Sequence, residues 1–198
     1  MWVFQWDGLC VTLVDAKWPP PRRGSRYSSG MRTVVGVMGS GGDPGPEVVA
    51  AAERLGELIA DRGWVLLNGG RACGVMDASA RGASRAGGLV IGVLPDGDGR
   101  GASRHLDIAI RTGIGDARNL VNVLSSDVVI AMTGGAGTLS EVAFALNAGR
   151  TVICLGFDPG PSVAGHEGVL LLRASTPEEA VLLAEAHLPP PGHPAKER

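Results

Sequence analysis

Asp127-Val128-Val129-Ile130-Ala131-Met132-Thr133-Gly134-Gly135-Ala136-Gly137-Thr138-Leu139-Ser140-Glu141-Val142-Ala143-Phe144-Ala145-Leu146-Asn147-Ala148-Gly149 is the stretch whose reading decides the fold. Its first six residues form an apolar run that reads as a buried strand, and Val142 to Gly149 reads as a helix closed by glycine. The glycines between them therefore occupy a strand-to-helix turn. Backbone N–H groups at a helix start are unpaired, and the helix dipole adds partial positive charge there. Glycine lets a ligand approach that backbone closely. The turn is thus suited to an anion, most often a phosphate. The carboxylate of Glu141, one turn into the helix, would stand beside such a phosphate. The same residues also fit a capping box, Thr138-x-x-Glu141, in which Glu141 folds back onto the N-cap amide.

Upstream, Arg32 to Met38 reads as a first strand, followed by the turn Gly39-Ser40-Gly41-Gly42-Asp43-Pro44-Gly45-Pro46. Pro46 suits the first position of a helix, along which Val48, Ala52, Leu55 and Ile59 share one face. Trp64 to Leu67 is a short strand leading into a second glycine turn, Asn68-Gly69-Gly70-Arg71-Ala72-Cys73-Gly74. The helix Val75 to Ala86 is built from small residues that allow close backbone packing. Leu89 to Leu94 is a strand, Pro95 to Arg104 a polar loop, and Leu106 to Arg111 alternates as an edge strand does. A helix carrying Asp116, Arg118 and Asn119 follows, with Leu120, Val123 and Leu124 as its apolar face. Downstream come the strands Thr151 to Leu155 and Val169 to Leu172, and a helix opened by Thr176-Pro177-Glu178-Glu179.

Near-continuous apolar strands alternating with helices argue for an α/β chain: a single doubly wound, Rossmann-like domain with a mainly parallel sheet and helices on both faces. Ligands of such sheets sit beyond the carboxyl ends of the strands, at the switch point. With the usual strand order, the turns at 39–42 and 134–137 face each other there, with the 69–74 turn beside them.

Composition narrows the chemistry. The net charge is −2, with no basic field for nucleic acid. Lys17 and Lys196 are the only lysines, both near the termini. The globular part therefore offers neither the Gly-Lys-Ser/Thr of a Walker loop nor a lysine for pyridoxal phosphate. Cys10, Cys73 and Cys154 are widely spaced and odd in number, which suits a reducing cytoplasmic setting. His105, His166, His187 and His193 share no metal-ligand spacing, so no metal site is expected. No membrane segment is expected either.

Residues 1–30 differ from the rest. They hold Trp2, Trp6 and Trp18 and the run Pro19-Pro20-Pro21-Arg22-Arg23. They read as a loose extension without a signal-peptide pattern, or alternatively as contributing a short strand, Leu9 to Val14, docked on a sheet edge. Residues 31–188 form the domain and 189–198 a tail.

Gly39-x-Gly41 after a first strand invites a redox dinucleotide reading. The ribose-binding acid expected at the end of the second strand is Asn68 here, and Asp43 and Glu47 crowd the turn with negative charge.

Gly-Gly-x-Gly-Thr-x-x-Glu, standing as Gly134 to Glu141, resembles the signature of the LOG (LONELY GUY) proteins, once mislabelled lysine decarboxylases. Gly69-Gly70-Arg71-Ala72-Cys73-Gly74-Val75-Met76-Asp77 is similar to their first glycine motif. The resemblance spans about residues 32–173. Thr112-Gly113 through Ala117-Arg118-Asn119 looks closest to the bacterial subgroup similar to molybdenum cofactor carrier proteins. The resemblance implies a nucleoside 5′-monophosphate phosphoribohydrolase that cleaves the N-glycosidic bond to free base and ribose 5-phosphate. Arg118 and Glu141 would be its catalytic pair. The phosphate and nucleotide would be held by Gly39, Ser40, Gly41, Gly69, Gly70, Gly74, Gly134, Gly135, Gly137 and Thr138. Cleavage develops positive charge on the ribose, which a neighbouring carboxylate stabilises.

Two positions depart from the LOG pattern. Thr133 replaces the proline that usually opens the motif, and Asn119 follows Arg118 where LOG enzymes typically carry lysine. The alternative is a non-catalytic carrier of a phosphorylated cofactor such as the molybdenum cofactor; no cofactor is required in the enzymatic reading. The family also implies a homodimer or homotetramer. Ser40 either donates to a phosphate or caps its turn. Arg71, Arg85, Cys73 and Asn122 either reach the site or have plain readings, the arginines as surface residues and Cys73 as a small residue that fits its turn, and Arg118 has a plain reading as a solvated partner of Asp116.

Overall fold

The computed structural model describes residues 3–6, 9–12 and 32–188. Two compact units divide at Gly30 and Met31. In the first, β1 (Val3–Trp6) and β2 (Leu9–Thr12) pair antiparallel, Val3 opposite Thr12. The strand expected from Leu9 thus exists, and its partner is β1. The rest of the 1–30 segment and the 189–198 tail lie outside the described residues.

The second unit alternates strand and helix. Its elements are β3 (Val34–Met38), α1 (Pro46–Asp61), β4 (Val65–Asn68), α2 (Gly74–Arg85), β5 (Leu89–Leu94) and β6 (Ile108–Arg111), then α3 (Arg118–Leu124), β7 (Val128–Met132), α4 (Ala136–Asn147), β8 (Thr151–Leu155), β9 (Leu171–Ala174) and α5 (Pro177–His187). The seven strands form one parallel sheet in the order β6-β5-β4-β3-β7-β8-β9. The chain builds outward from β3 to β6, then returns to place β7 on the other side of β3, with Val35 opposite Val128 and Met38 opposite Ala131. That return is the switch point, so β3 and β7 end side by side.

Both faces of the sheet are covered, which is why the central strands are apolar throughout rather than alternating. In β7, Val128, Ile130 and Met132 join the core beneath α1, α2 and α5. Val129 and Ala131 join Val123, Val142, Ala145 and Leu146 on the face covered by α3 and α4. On the first face α1 and α2 approach to backbone contact: a β-carbon on Gly82 would strike the Glu53 carbonyl, and one on Gly56 the Ser79 carbonyl. The small residues of α2 serve this approach, as their composition indicates.

Three expectations shift. The last strand is Leu171–Ala174, because the chain first passes through a 3-10 turn at Pro161–His166 and a bridge at Glu167. The β6 edge shows no alternation: all four residues are exposed, including Ile108 and Ile110. In α3 only Val123 of the expected apolar face is buried. Leu120 and Leu124 are 41% and 52% exposed, whereas Asn119, Asn122 and Val123 are buried. The reason lies in what α3 packs against, taken up below. Among the described residues no helix is long and apolar enough to cross a membrane.

Candidate functional site: a cleft over the carboxyl ends of β3 and β7

The turn after β3 is fastened on both sides. Ser40 N–H donates to the Thr133 carbonyl at 2.8 Å, and Val75 N–H donates to the Ser40 carbonyl at 3.0 Å. Ser40 Oγ accepts from Gly42 N–H at 3.0 Å. Ser40 is therefore a turn fastener as well as a wall of the cleft, the capping alternative being the one its hydroxyl takes. Glycine is needed where these segments meet. A β-carbon on Gly39 would lie 2.7 Å from Val75 Cγ1, and Gly74, at φ +54°, lies against the Ser40 carbonyl.

Asn68 stands where a dinucleotide fold would place its ribose acid, and its side chain is consumed by the protein. Its Nδ2 donates to the Met76 carbonyl at 2.8 Å and to Ser79 Oγ at 3.1 Å, while its Oδ1 accepts from Gly70 N–H at 2.8 Å. It shapes the second glycine turn.

The three turns and the start of α3 enclose a cleft of about 830 Å³. One side of it is the start of α4. Gly135 is the N-cap with no side-chain cap, and the first helical bond runs from Leu139 N–H to the Gly135 carbonyl. The amides of Ala136, Gly137 and Thr138 are thus the unpaired donors of a helix N-terminus, and all three residues line the cleft. Thr138 lies inside the helix and not at its cap, packed on Gly134. The capping box is absent here. By contrast α5 has a side-chain cap: Thr176 Oγ1 accepts from Glu179 N–H at 3.2 Å, and Glu179 accepts from the N–H of Ser175, the residue before the cap, at 2.8 Å.

Glu141 instead faces α3. It is 6% exposed, and its Oε1 accepts from Asn122 Nδ2 at 2.9 Å. Burial pushes its carboxyl up to about 7, against the opposing pull of the Asn122 amide and the Arg118 charge. Arg118 is half-buried, with its guanidinium against Gly69 and its Nε buried without a hydrogen-bond partner among the described residues. Burial depresses its proton affinity, opposed by Glu141 and Asp116. The reading of Arg118 as a solvated surface arginine does not describe this placement.

Of the residues singled out in the sequence, Arg118, Glu141, Gly39, Ser40, Gly41, Gly69, Gly135, Gly137 and Thr138 line the cleft together. Gly70, Gly74 and Gly134 do not; they let the turns interlock from behind. Arg71 turns away to Asp96 (2.7 Å) and the Arg100 carbonyl (2.9 Å), and Arg85 pairs with Glu53. Cys73 caps α2 beside Gly41 and stays outside the cleft wall.

Sequence reading gave Asn119 no site role. Its Nδ2 donates to Ser140 Oγ at 3.3 Å, and Ser140 Oγ in turn donates to the Gly137 carbonyl at 2.6 Å. The i, i+3 spacing of Asn119 and Asn122 is the signal that marks a polar buried face on α3. Met38, Met76 and Phe144 supply the apolar walls. Among the described residues no group of histidine, cysteine and acidic side chains could hold a metal.

A doubly wound parallel sheet with a helix N-terminus, a buried glutamate and an arginine over its switch point defines a LOG-type, Rossmann-like domain. The chain belongs to the SLOG cluster4 family, whose model matches residues 32–182. It is similar to the molybdenum cofactor binding protein of the phototrophic bacterium Rippkaea orientalis, at 46% identity and a TM-score of 0.75, covering 79% of this chain and 97% of that one. It is also similar to the molybdenum cofactor carrier protein of Chlamydomonas reinhardtii, at 39% identity and a TM-score of 0.73, covering 79% and 98%. A cytokinin riboside 5′-monophosphate phosphoribohydrolase of Mycobacterium tuberculosis is 35% identical over 98 residues, 48% of this chain and 52% of that protein. The LOG resemblance and its carrier-like subgroup, read from the motifs, thus hold.

Proposed function

We propose that this chain binds a phosphorylated, flat-ringed ligand in the cleft, and that it acts as a carrier of the molybdenum cofactor. The observation that carries the reading is that one cleft is lined by the unpaired α4 amides, by half-buried Arg118, whose Nε has no hydrogen-bond partner among the described residues, and by Met38, Met76 and Phe144. Amides and guanidinium suit a phosphate, and thioether and aromatic surfaces suit a planar ring. The pterin cofactor presents both ends, and the donors present fit its phosphate. The similarity to the two cofactor-binding proteins extends over nearly their whole length; that to the hydrolase spans half of it. The carrier reading is therefore placed ahead of the enzymatic one.

The test is loading. Purified protein mixed with molybdenum cofactor and passed through gel filtration retains about one pterin per chain and transfers it to an apo-molybdoenzyme. Absence of retained pterin at saturating cofactor overturns the proposal.

A second reading, nucleoside 5′-monophosphate phosphoribohydrolase, is favoured by one observation: Glu141, poised at about 7, shares the cleft with Arg118. In that reaction water adds to the ribose carbon as its bond to the base breaks, and the departing base takes up a proton. Glu141 would stabilise the charge developing on the sugar. Release of free base from AMP or another monophosphate, lost in Glu141→Gln, would establish it.

The exposed apolar residues Ile108 and Ile110 of β6, Ile114, and Leu120 and Leu124 of α3 support assembly into a homodimer or homotetramer. Light scattering on the full chain gives the mass that decides this.

A further inference from the structure

Glu141 is held by something that no sequence motif of the cleft includes. Asn122 is fully buried, and its Nδ2 donates to Glu141 Oε1 at 2.9 Å. Its own Oδ1 is buried with no partner among the described residues. A buried amide left with an unsatisfied acceptor costs stability, so the residue is not there for packing alone. Its position is enforced from behind. The Asn122 carbonyl accepts from Ser126 Oγ at 2.7 Å. Ser126, 1% exposed, fits only because Gly36 in the middle of β3 has no β-carbon to collide with it. One turn earlier, Asn119 ties α3 to Ser140, the neighbour of Glu141. So adjacent residues of α4, Ser140 and Glu141, are each gripped by an asparagine of α3.

We infer that Asn122 is the positioning residue for Glu141, holding its carboxylate toward the cleft. The Arg118 charge pulls the same way as the Asn122 hydrogen bond, but more weakly. Arg118 acts on Glu141 from the start of α3, while Asp116 and Arg71 act on Arg118 in turn. The Asn122 hydrogen bond opposes burial more strongly than the Arg118 charge does. A hydrogen bond to a charged acceptor is worth about one to two pH units of proton affinity. Asn122 thereby sets how much of the site carries a negative charge at neutral pH. This rests on reading the cleft as the ligand site.

The test needs no ligand. The Glu141 carboxyl band is assigned by infrared difference spectroscopy against Glu141→Gln, and its titration is followed in the full chain and in Asn122→Leu. The expected result is a midpoint raised by about one to two pH units; an unmoved midpoint overturns the inference. Should Asn122→Leu not fold, the unaltered protein decides: the Asn122 side-chain amide resonances must shift with the Glu141 midpoint, and flat resonances across that range overturn it. Failure to retain pterin, with this titration intact, strikes the carrier reading and not this one.

Discussion

Arg118 rests on Gly69: a β-carbon at position 69 would collide with the guanidinium Nη1 and lie 2.7 Å from Met76 Sδ. The second glycine turn thus serves as a seat for the arginine of the cleft.

Gly69→Ala is expected to displace Arg118 and weaken binding of a phosphorylated ligand by about tenfold, ~1.4 kcal/mol. Isothermal titration with AMP or with the molybdenum cofactor measures it. Unchanged affinity would show that Arg118 does not take part in binding.

Glu141 gives stability a pH signature. Its folded value of about 7 lies above the ordinary 4.5, so the folded chain keeps a proton that the unfolded chain has already released. Stability is therefore highest below the unfolded value, falls as pH rises through the window between the two, and levels off above it. The full effect is about 3 kcal/mol. Glu141→Gln should flatten this part of the profile, read by chemical denaturation between pH 5 and about 8. A profile identical to that of the unaltered protein would mean Glu141 titrates normally.

Neighbouring glycines of the turns should separate stability from binding. Gly39→Ala pushes a methyl into Val75 and is expected to cost about 1–3 kcal/mol. At Gly135 a β-carbon meets nothing within 4 Å. Gly135→Ala should leave stability within about 0.5 kcal/mol yet weaken ligand binding, because the residue lines the cleft. Thermal melts paired with titration decide both, and equal losses of stability would contradict the assignment.

Cysteine reactivity should divide by depth. Cys154 is buried in β8, and burial pushes its thiol up to about 11. Cys73 is half-buried at the start of α2. In native protein a maleimide should modify Cys73 and spare Cys154, as mapped by peptide mass spectrometry. Equal labelling would indicate that β8 opens readily.

The sequence by itself determined the sheet, the switch point and the position of the glycine turn at the start of α4. Each follows from local rules: apolar runs long enough to be buried on both faces, glycines at strand ends, Pro46 and Thr176 at helix starts. The LOG motifs located Arg118 and Glu141 for the same reason, since their spacing is carried within single strand–turn–helix units. Only the tertiary structure decided what those residues face. Thr138-x-x-Glu141 permits a capping box, and the choice against it was made by Asn122, a residue 19 positions away on another helix. Likewise Leu120 and Leu124 read as the buried side of α3, yet the helix turns its asparagines inward because α4 offers Ser140 and Glu141 as partners. Such pairings depend on how two helices dock, and a buried polar group takes whichever partner that docking supplies.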